Sequence, residues 1–248
     1  MSTRAFGSDD AASNPFIPQL WGTHGAVTAE HYLSAQAGAD VIKAGGNAVD
    51  GAVAAVLVEC LVNPNMVSLG GECPMLIWSP KLGRVISING NTAAPGLATP
   101  EVFANRGLLH VPDESILSAG VPATLHALVT ALREHGTWTF ADLAAPAQRL
   151  AREGFPVHKG LVRQPRYGLR DLAEKFRKHW PTSAAVYLPG GTVPAIGSLL
   201  QNPALADLLG QLGDAERKAG GDRRTGLNAV LDAFYRGEPA AIIERFSL

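Results

Sequence analysis

The sequence has few aromatic residues, two cysteines, no excess of either charge and no long apolar run. Each shortage excludes something. Aromatics make up 6% of the 248 residues, which leaves little from which to build a base-stacking platform. Lys and Arg number 21 against 22 Asp and Glu, a net charge of −1. The electrostatic footprint of a DNA- or RNA-binding protein is therefore missing. Two cysteines, Cys60 and Cys73, do not make a disulfide framework and suit a reducing compartment. Cys60 lies in an apolar helical pattern and reads as a buried thiol. The longest apolar stretch, Ala52 to Val62, is interrupted by Glu59 and stopped by Asn63-Pro64. It falls well short of the roughly 20 residues that span a bilayer. The opening MSTRAFGSDDAASNPF has no apolar core of a secretory signal. The expectation is a cytoplasmic protein with no membrane and no nucleic-acid partner, in which residues 1–24 form a flexible polar leader and residues 25–248 a single domain.

A hydrophobic fraction of 46%, with 27 Gly and 17 Pro, describes a globular chain with many turns. Gly25 to Thr28 is compatible with a strand leading into a helix. Ser34 to Ala44 reads as a helix that Ser34 can cap and that Gly45-Gly46 can end in the left-handed region. Asn47 caps the next helix, with Asp50 supplying negative charge to its first turn. The body of that helix, AVDGAVAAVLVECLV, is apolar almost all round and must be buried on most faces. Met75 to Trp78 and Arg84 to Ile88, joined by Ser79-Pro80-Lys81-Leu82-Gly83, predict a hairpin. Beyond Gly120 the pattern turns helical, with Pro122 suited to a first helical position and Gly136 to the far end. Thr139 and Asp142 resemble a capping box for a helix that ends at Gly154. Pro146 either kinks that helix or starts a new one. Asn202-Pro203 opens a helix with Leu205, Leu208, Leu209 and Leu212 on one side. Asn228 to Tyr235 is a further short one. Pro239 to Phe246 places Ile242, Ile243 and Phe246 at helical spacing near the last residue, an apolar face expected either to belong to a chain that continues elsewhere or to pack on a partner.

Motifs that carry chemistry by themselves are missing. There is no Walker A loop, G-x-G-x-x-G or H-E-x-x-H, and no G-x-S-x-G elbow. The seven His are scattered, without zinc spacing to Cys. His24 and His31 either share a helix face or are surface or satisfied core histidines. The turn Ser68 to Glu72 either presents backbone N–H groups to an anion or is a tight turn between a buried helix and a hairpin.

Three stretches, taken in order, resemble the large-subunit side of the γ-glutamyltransferase family. The first is GAVTAEHYLSAQAGADVIKAGGNAVDGAVAAVLVECLVNPNMVSLGGECPMLIW, from Gly25 to Trp78. The second, GVPATLHALVTALREHGTWTFADLAAPAQRLAREGFPV, runs from Gly120 to Val157. The third runs from Tyr187-Leu188-Pro189-Gly190-Gly191 through QNPALADLLGQLG to AFYRGEPAAIIERF. The resemblance implies an α/β (α+β) chain of the N-terminal nucleophile (Ntn) hydrolase class. Its αββα sandwich would be supplied here by a helix-rich large-subunit portion and completed by a second chain. It also implies a precursor that cuts itself, releasing a small (β) subunit whose N-terminal Thr is nucleophile and, through its α-amine, general base. Neither cofactor nor metal is implied. The family's T-T-H-type motif does not occur in this sequence, so no catalytic residue is expected in this chain. It is expected to be a shortened large subunit or a piece of one.

The function implied is that of an amidohydrolase or acylase acting on a small-molecule amide through an acyl-enzyme, with possible transfer of the acyl group. The alternatives are a true γ-glutamyltransferase or glutathione hydrolase, and a non-catalytic paralogue serving as a binding or scaffold module. Three residues are candidates for substrate contact. Asn91 falls where the family's R-E-T-A-P-like segment places the arginine that grips the substrate's α-carboxylate. Asn89 precedes it, and Glu72 stands where the family tends to have Gly. Each also has a plain structural reading, the two Asn as turn formers and Glu72 as a surface carboxylate.

Overall fold

A computed structural model of the chain describes residues 20–113 and 115–247. Most of the expected leader, residues 1–19, and the last residue therefore lie outside the described residues. Helix α1 (Tyr32–Lys43) packs along α2 (Ala48–Val62), and α2 in turn packs on α4 (Thr124–His135) and α5 (Phe140–Glu153). Helix α9 (Pro203–Ala219) lies along α5, and α10 (Arg223–Tyr235) joins α9 to α4. Strands β1 (Met75–Ser79) and β2 (Arg84–Ile88) form the expected antiparallel hairpin, with Met75 opposite Ile88. A short helix α3 (Pro100–Asn105) follows it. Between α5 and α9 run a two-residue strand β3 (Phe155–Pro156), helices α6 (Lys159–Arg163), α7 (Leu169–His179) and α8 (Pro181–Tyr187), and β4 (Leu199–Leu200), which pairs with β3. Helix α11 (Glu238–Ser247) comes last. The described residues are thus helix-rich α+β, as expected. No helix among them is long and apolar enough to cross a membrane.

Helix α2 is the centre of the core. Ten of its fifteen residues are buried, which is what an all-round apolar helix demands. It approaches α1 closely because both carry glycine at the crossing. A Cβ added at Gly38 would sit 2.8 Å from the Gly51 carbonyl oxygen, and one at Gly51 3.0 Å from that of Gly38. The N-terminus of α2 is closed by the predicted capping box. Asn47 Oδ1 accepts from the amides of Val49 (2.8 Å) and Asp50 (3.1 Å), and Asp50 Oδ2 accepts from the Asn47 amide (2.8 Å).

Asp50 does more than its sequence position suggests. It is fully buried. Its carboxylate also accepts from the Thr137 amide (2.8 Å), the Thr137 hydroxyl (2.6 Å) and the Trp138 amide (3.1 Å). Asn47 Nδ2 donates to the His135 carbonyl (2.8 Å). One local cap thereby ties the start of α2 to the α4–α5 connection, 87 residues away in sequence. Burial works against the charged carboxylate, but the hydrogen bonds from Thr137, Asn47 and Trp138 outweigh it and hold Asp50 below the ordinary carboxylate range.

The N-terminus of α5 is closed from two sources. Thr139 Oγ1 accepts from the Asp142 amide (3.1 Å), as predicted. Glu216, buried on α9, accepts from the amides of Phe140 (2.9 Å) and Ala141 (2.8 Å). A carboxylate at a helix N-terminus is favoured by both the free N–H groups and the dipole. Pro146 stays inside a continuous helix.

Four local expectations are corrected and one open alternative, that of His24 and His31, is settled. The cap of α1 is His31, whose Nδ1 accepts from the Leu33 amide (3.2 Å); Ser34 lies inside the helix, fully buried. His24 and His31 share no helix face, because the helix starts only at Tyr32. Residues 25–28 form no strand. Helix α4 begins at Thr124, so Pro122 precedes it. Its first amides are met by a chain carbonyl from elsewhere, which relieves Pro122 of any starting role. Helix α10 begins at Arg223, capped by Asp222 (Oδ1 to the Thr225 amide, 2.8 Å), five residues before the predicted start.

Candidate functional site

Where β2 ends, the chain enters a cleft of about 390 Å³. One wall is the run from Ile88 to Asn91 with Ala93. The other is Val121 to Ala123, the α4 residues His126, Ala127 and Thr130, and Tyr235 of α10. Two of the three predicted contact residues are therefore brought to one place. Asn89 and Asn91 stand exposed on the rim, with Asn91 Nδ2 and its amide both donating to Asn89 Oδ1, at 2.8 and 3.2 Å. Glu72 is exposed and is not among the residues lining the cleft.

Local packing explains why the asparagines project. Gly90 between them is buried, and its carbonyl accepts from the Cys73 amide (2.9 Å). A Cβ at position 90 would lie 2.0 Å from the Cys73 carbonyl oxygen and 2.9 Å from Ala127 Cβ. Only glycine lets the strand end come this close to α4. The walls are joined at the far side by the Val121 amide, which donates to the Ala93 carbonyl (2.8 Å).

The Gly-rich turn before the hairpin takes the structural role. Gly71 donates its amide to the Ser68 carbonyl (3.0 Å), and its own carbonyl accepts from the amides of Ala123 and Thr124, each at 3.0 Å. The turn thus closes the start of α4, which has no side-chain cap. Its Gly71 amide is engaged rather than offered to an anion.

Sequence reasoning did not pick out Tyr235, His126 or Thr130. Tyr235 lies in the FYRGE run, and its hydroxyl reaches across 113 residues to donate to the Pro122 carbonyl (2.8 Å). The same oxygen accepts from the His126 amide (3.2 Å). Burial raises the Tyr235 phenol above its ordinary value, partly opposed by that amide. The His126 ring meets it edge-on, 5.8 Å between centroids. Thr130 Oγ1 is buried without a hydrogen-bond partner.

The cleft offers amides and hydroxyls, and no Lys or Arg is among the residues that line it. None of its hydroxyls is paired with a histidine base, the arrangement a resident nucleophile needs. Nor is Cys60 a substitute. Burial, with Cys73 and Glu59 nearby, pushes its thiol up to about 12, far from the thiolate. Among the described residues no group of His, Cys, Asp and Glu could hold a metal ion. The arrangement can bind and orient a small polar molecule.

The architecture is that of the helix-rich part of an Ntn hydrolase. Cephalosporin acylase from Bacillus halodurans superposes with a TM-score of 0.77 at 25% identity, covering 98% of this chain and 43% of that one. Within that class, residues 34–247 match the gamma-glutamyltranspeptidase family, to which the chain belongs. It is 31% identical over 221 residues to the glutathione hydrolase proenzyme of Bacillus subtilis, covering 88% of this chain and 34% of that protein. It is 33% identical over 221 residues to the oxamate amidohydrolase proenzyme of Klebsiella pneumoniae, covering 87% and 38%. The chain thus spans about a third of the length of the curated relatives it matches.

Proposed function

We propose that this chain is the large-subunit portion of an Ntn amidohydrolase or acylase. Its partner on this reading is a small chain whose N-terminal Thr attacks a small-molecule amide and carries the acyl group before water or an amine releases it. The relatives named as proenzymes support a two-part enzyme. The two cysteines, both free thiols, suit work in a reducing cytoplasm.

The observation that carries the reading is the uncharged rim of the cleft. Asn91 occupies the position at which the resemblance places an arginine, and it lies with Asn89 on that rim. An amide can hydrogen-bond a carboxylate but cannot neutralise it or grip it bidentately. The loss of a charge-assisted anchor costs roughly 1.5–3 kcal/mol, about ten- to a hundred-fold in affinity or more. The preferred acyl group is accordingly one without a free amino-acid head. The relatives named oxamate amidohydrolase and cephalosporin acylase are in keeping with such substrates.

The test uses the native protein with whatever chain accompanies it, first by intact mass to find a Thr-initiated partner. Steady-state turnover is then compared for γ-glutamyl, glutaryl and simple acyl anilides, in the parent and in Asn91→Arg. The expected result is a parent that favours the simple acyl anilides and an Asn91→Arg variant that gains on the γ-glutamyl one. A parent that turns over the γ-glutamyl anilide best would assign it to glutathione hydrolysis instead. A single stable chain without a partner and without activity would point to a binding or scaffold module.

A further inference from the structure

Away from the cleft, two histidines meet beneath the start of α1. The His31 and His158 rings lie 4.8 Å apart between centroids, tilted by 58°. Each caps a helix through Nδ1. His31 Nδ1 accepts from the Leu33 amide at 3.2 Å, and His158 Nδ1 from the Leu161 amide at 3.3 Å. An imidazole nitrogen that accepts carries no hydrogen, so both neutral rings bear their proton on Nε2. His158 uses that proton, donating from Nε2 to the Val62 carbonyl at 2.9 Å. His31 Nε2 is buried and has no partner.

The second unpartnered atom nearby is an acceptor. Glu59 of α2 takes a hydrogen bond from Asn63 Nδ2 on Oε1 (3.0 Å), while Oε2 is buried with none. Helix α6, meanwhile, clasps the turn that leaves α2. His158 at its head holds the Val62 carbonyl. Gln164 at its foot accepts from Asn65 Nδ2 and donates to Met66 Sδ (3.1 Å). That turn runs on to Gly71, whose carbonyl closes the start of α4 at the cleft.

We propose that His31, seated against His158, forms a proton-operated latch on the start of α1, closed while the His31 ring is neutral and released when it is protonated. A second proton on either ring must go to Nδ1. There it faces the N–H it was accepting from, donor against donor, and the cap is lost. Two rings this close do not both carry charge comfortably. The charge of Glu59 favours the protonated His31 ring and so partly offsets the loss of the cap.

The groups facing the pair set the direction. Burial lowers the proton affinity of His31, His158 lowers it further, and Glu59 partly restores it. Cys60 sits beside Glu59 as a neutral thiol, Tyr32 stacks on His31 at 4.6 Å, and Glu30 and Lys159 are exposed neighbours in sequence. With the folded value below the ordinary 6.5, the folded state binds fewer protons than the unfolded one in this range. The contribution of the His31 cap is therefore complete above 6.5 and is lost as the pH falls below it.

The experiment follows the full chain between pH 8 and 5. Long-range ¹H–¹⁵N imidazole spectra at pH 8 are expected to show both rings as the Nε2–H tautomer. An Nδ1–H tautomer for either ring overturns the proposal. Hydrogen-exchange protection, corrected for intrinsic rates, is expected to fall on the acid side at Leu33. In His31→Asn the side chain still caps but does not titrate, so the loss at Leu33 should vanish while protection at pH 8 is kept. In Glu59→Gln the acid transition should move down by about 0.5 pH unit or more, because the attraction favouring the charged ring is gone. An acid transition unchanged in both variants sinks the latch. If His31→Asn does not fold, His158→Asn, which should move the acid transition up, and Glu59→Gln, which should move it down, decide instead, and a transition that neither moves overturns the proposal.

Discussion

The helical layer and the stretch from the hairpin to residue 121 are made of similarly apolar residues but finish differently. In the helices, Leu125, Leu128, Leu132, Phe140 and Leu143 are all fully buried, and the carboxylates of Asp50 and Glu216 that enter with them are hydrogen-bonded. Along the other stretch, Leu76, Trp78, Val85, Leu97 and Leu109 are exposed, Trp78 by 62% and Leu109 by 99%. The hairpin alternates in burial, yet none of the described residues is laid on its outer face. The lesson is that regular secondary structure and burial are separate achievements. The first needs only local pattern, and the second needs a facing element. On the proposed reading, the small chain is that element.

The comparison breaks most severely at Asp50. Asp50→Ala strips the acceptor from four donors at once and leaves them buried, so it should cost about 3–5 kcal/mol, read as a lower denaturation midpoint at unchanged slope. Its pH dependence has a fixed sign. The folded carboxylate is held low, so its contribution is present above the ordinary value of 3.8 and is lost only as the pH falls below it. A chain that loses this contribution already near neutrality would contradict the geometry.

Next comes Glu216→Ala, which frees the amides of Phe140 and Ala141 at the start of α5. A loss of about 1.5–3 kcal/mol is expected, with hydrogen-exchange protection falling first at those two amides. Ala54→Leu should cost roughly 1–3 kcal/mol by overpacking, since Ala54 is completely buried in α2; a melting temperature within about a degree of the parent would show that α2 is not packed as described.

The smallest effect on the chain itself belongs to the exposed face. Leu76→Ser with Trp78→Ser should move the chain's stability by less than about 0.5 kcal/mol, while weakening its association with the proposed small chain in a pull-down or sedimentation experiment. A large stability loss would mean that the hairpin face is covered within this chain.

Some of this was legible without coordinates. The Asn47–Asp50 and Thr139–Asp142 caps, the burial of α2, the hairpin and the leucine face of α9 are written in spacings of three and four residues or in alternation. Helices α6, α7 and α8 went unread because the longest has 11 residues, and much of it is charged. At the cleft, Asn89 and Asn91 were reached through the resemblance, whereas His126 and Tyr235 were invisible because 109 residues separate them.

What the sequence determined by itself is what neighbouring residues can settle. Side-chain oxygens three residues ahead of an amide make caps, apolar residues on all faces demand burial, and a proline-and-glycine link between β-rich runs makes a hairpin. Tertiary structure decided the rest. It selected His31 over Ser34 as the cap of α1, set Glu216 on the start of α5, turned Gly71's carbonyl toward α4 and gathered Asn91, His126 and Tyr235 around one cleft. The physical reason is common to all four. A buried backbone or polar group takes whichever partner packing brings within hydrogen-bond reach, and sequence distance does not enter that competition.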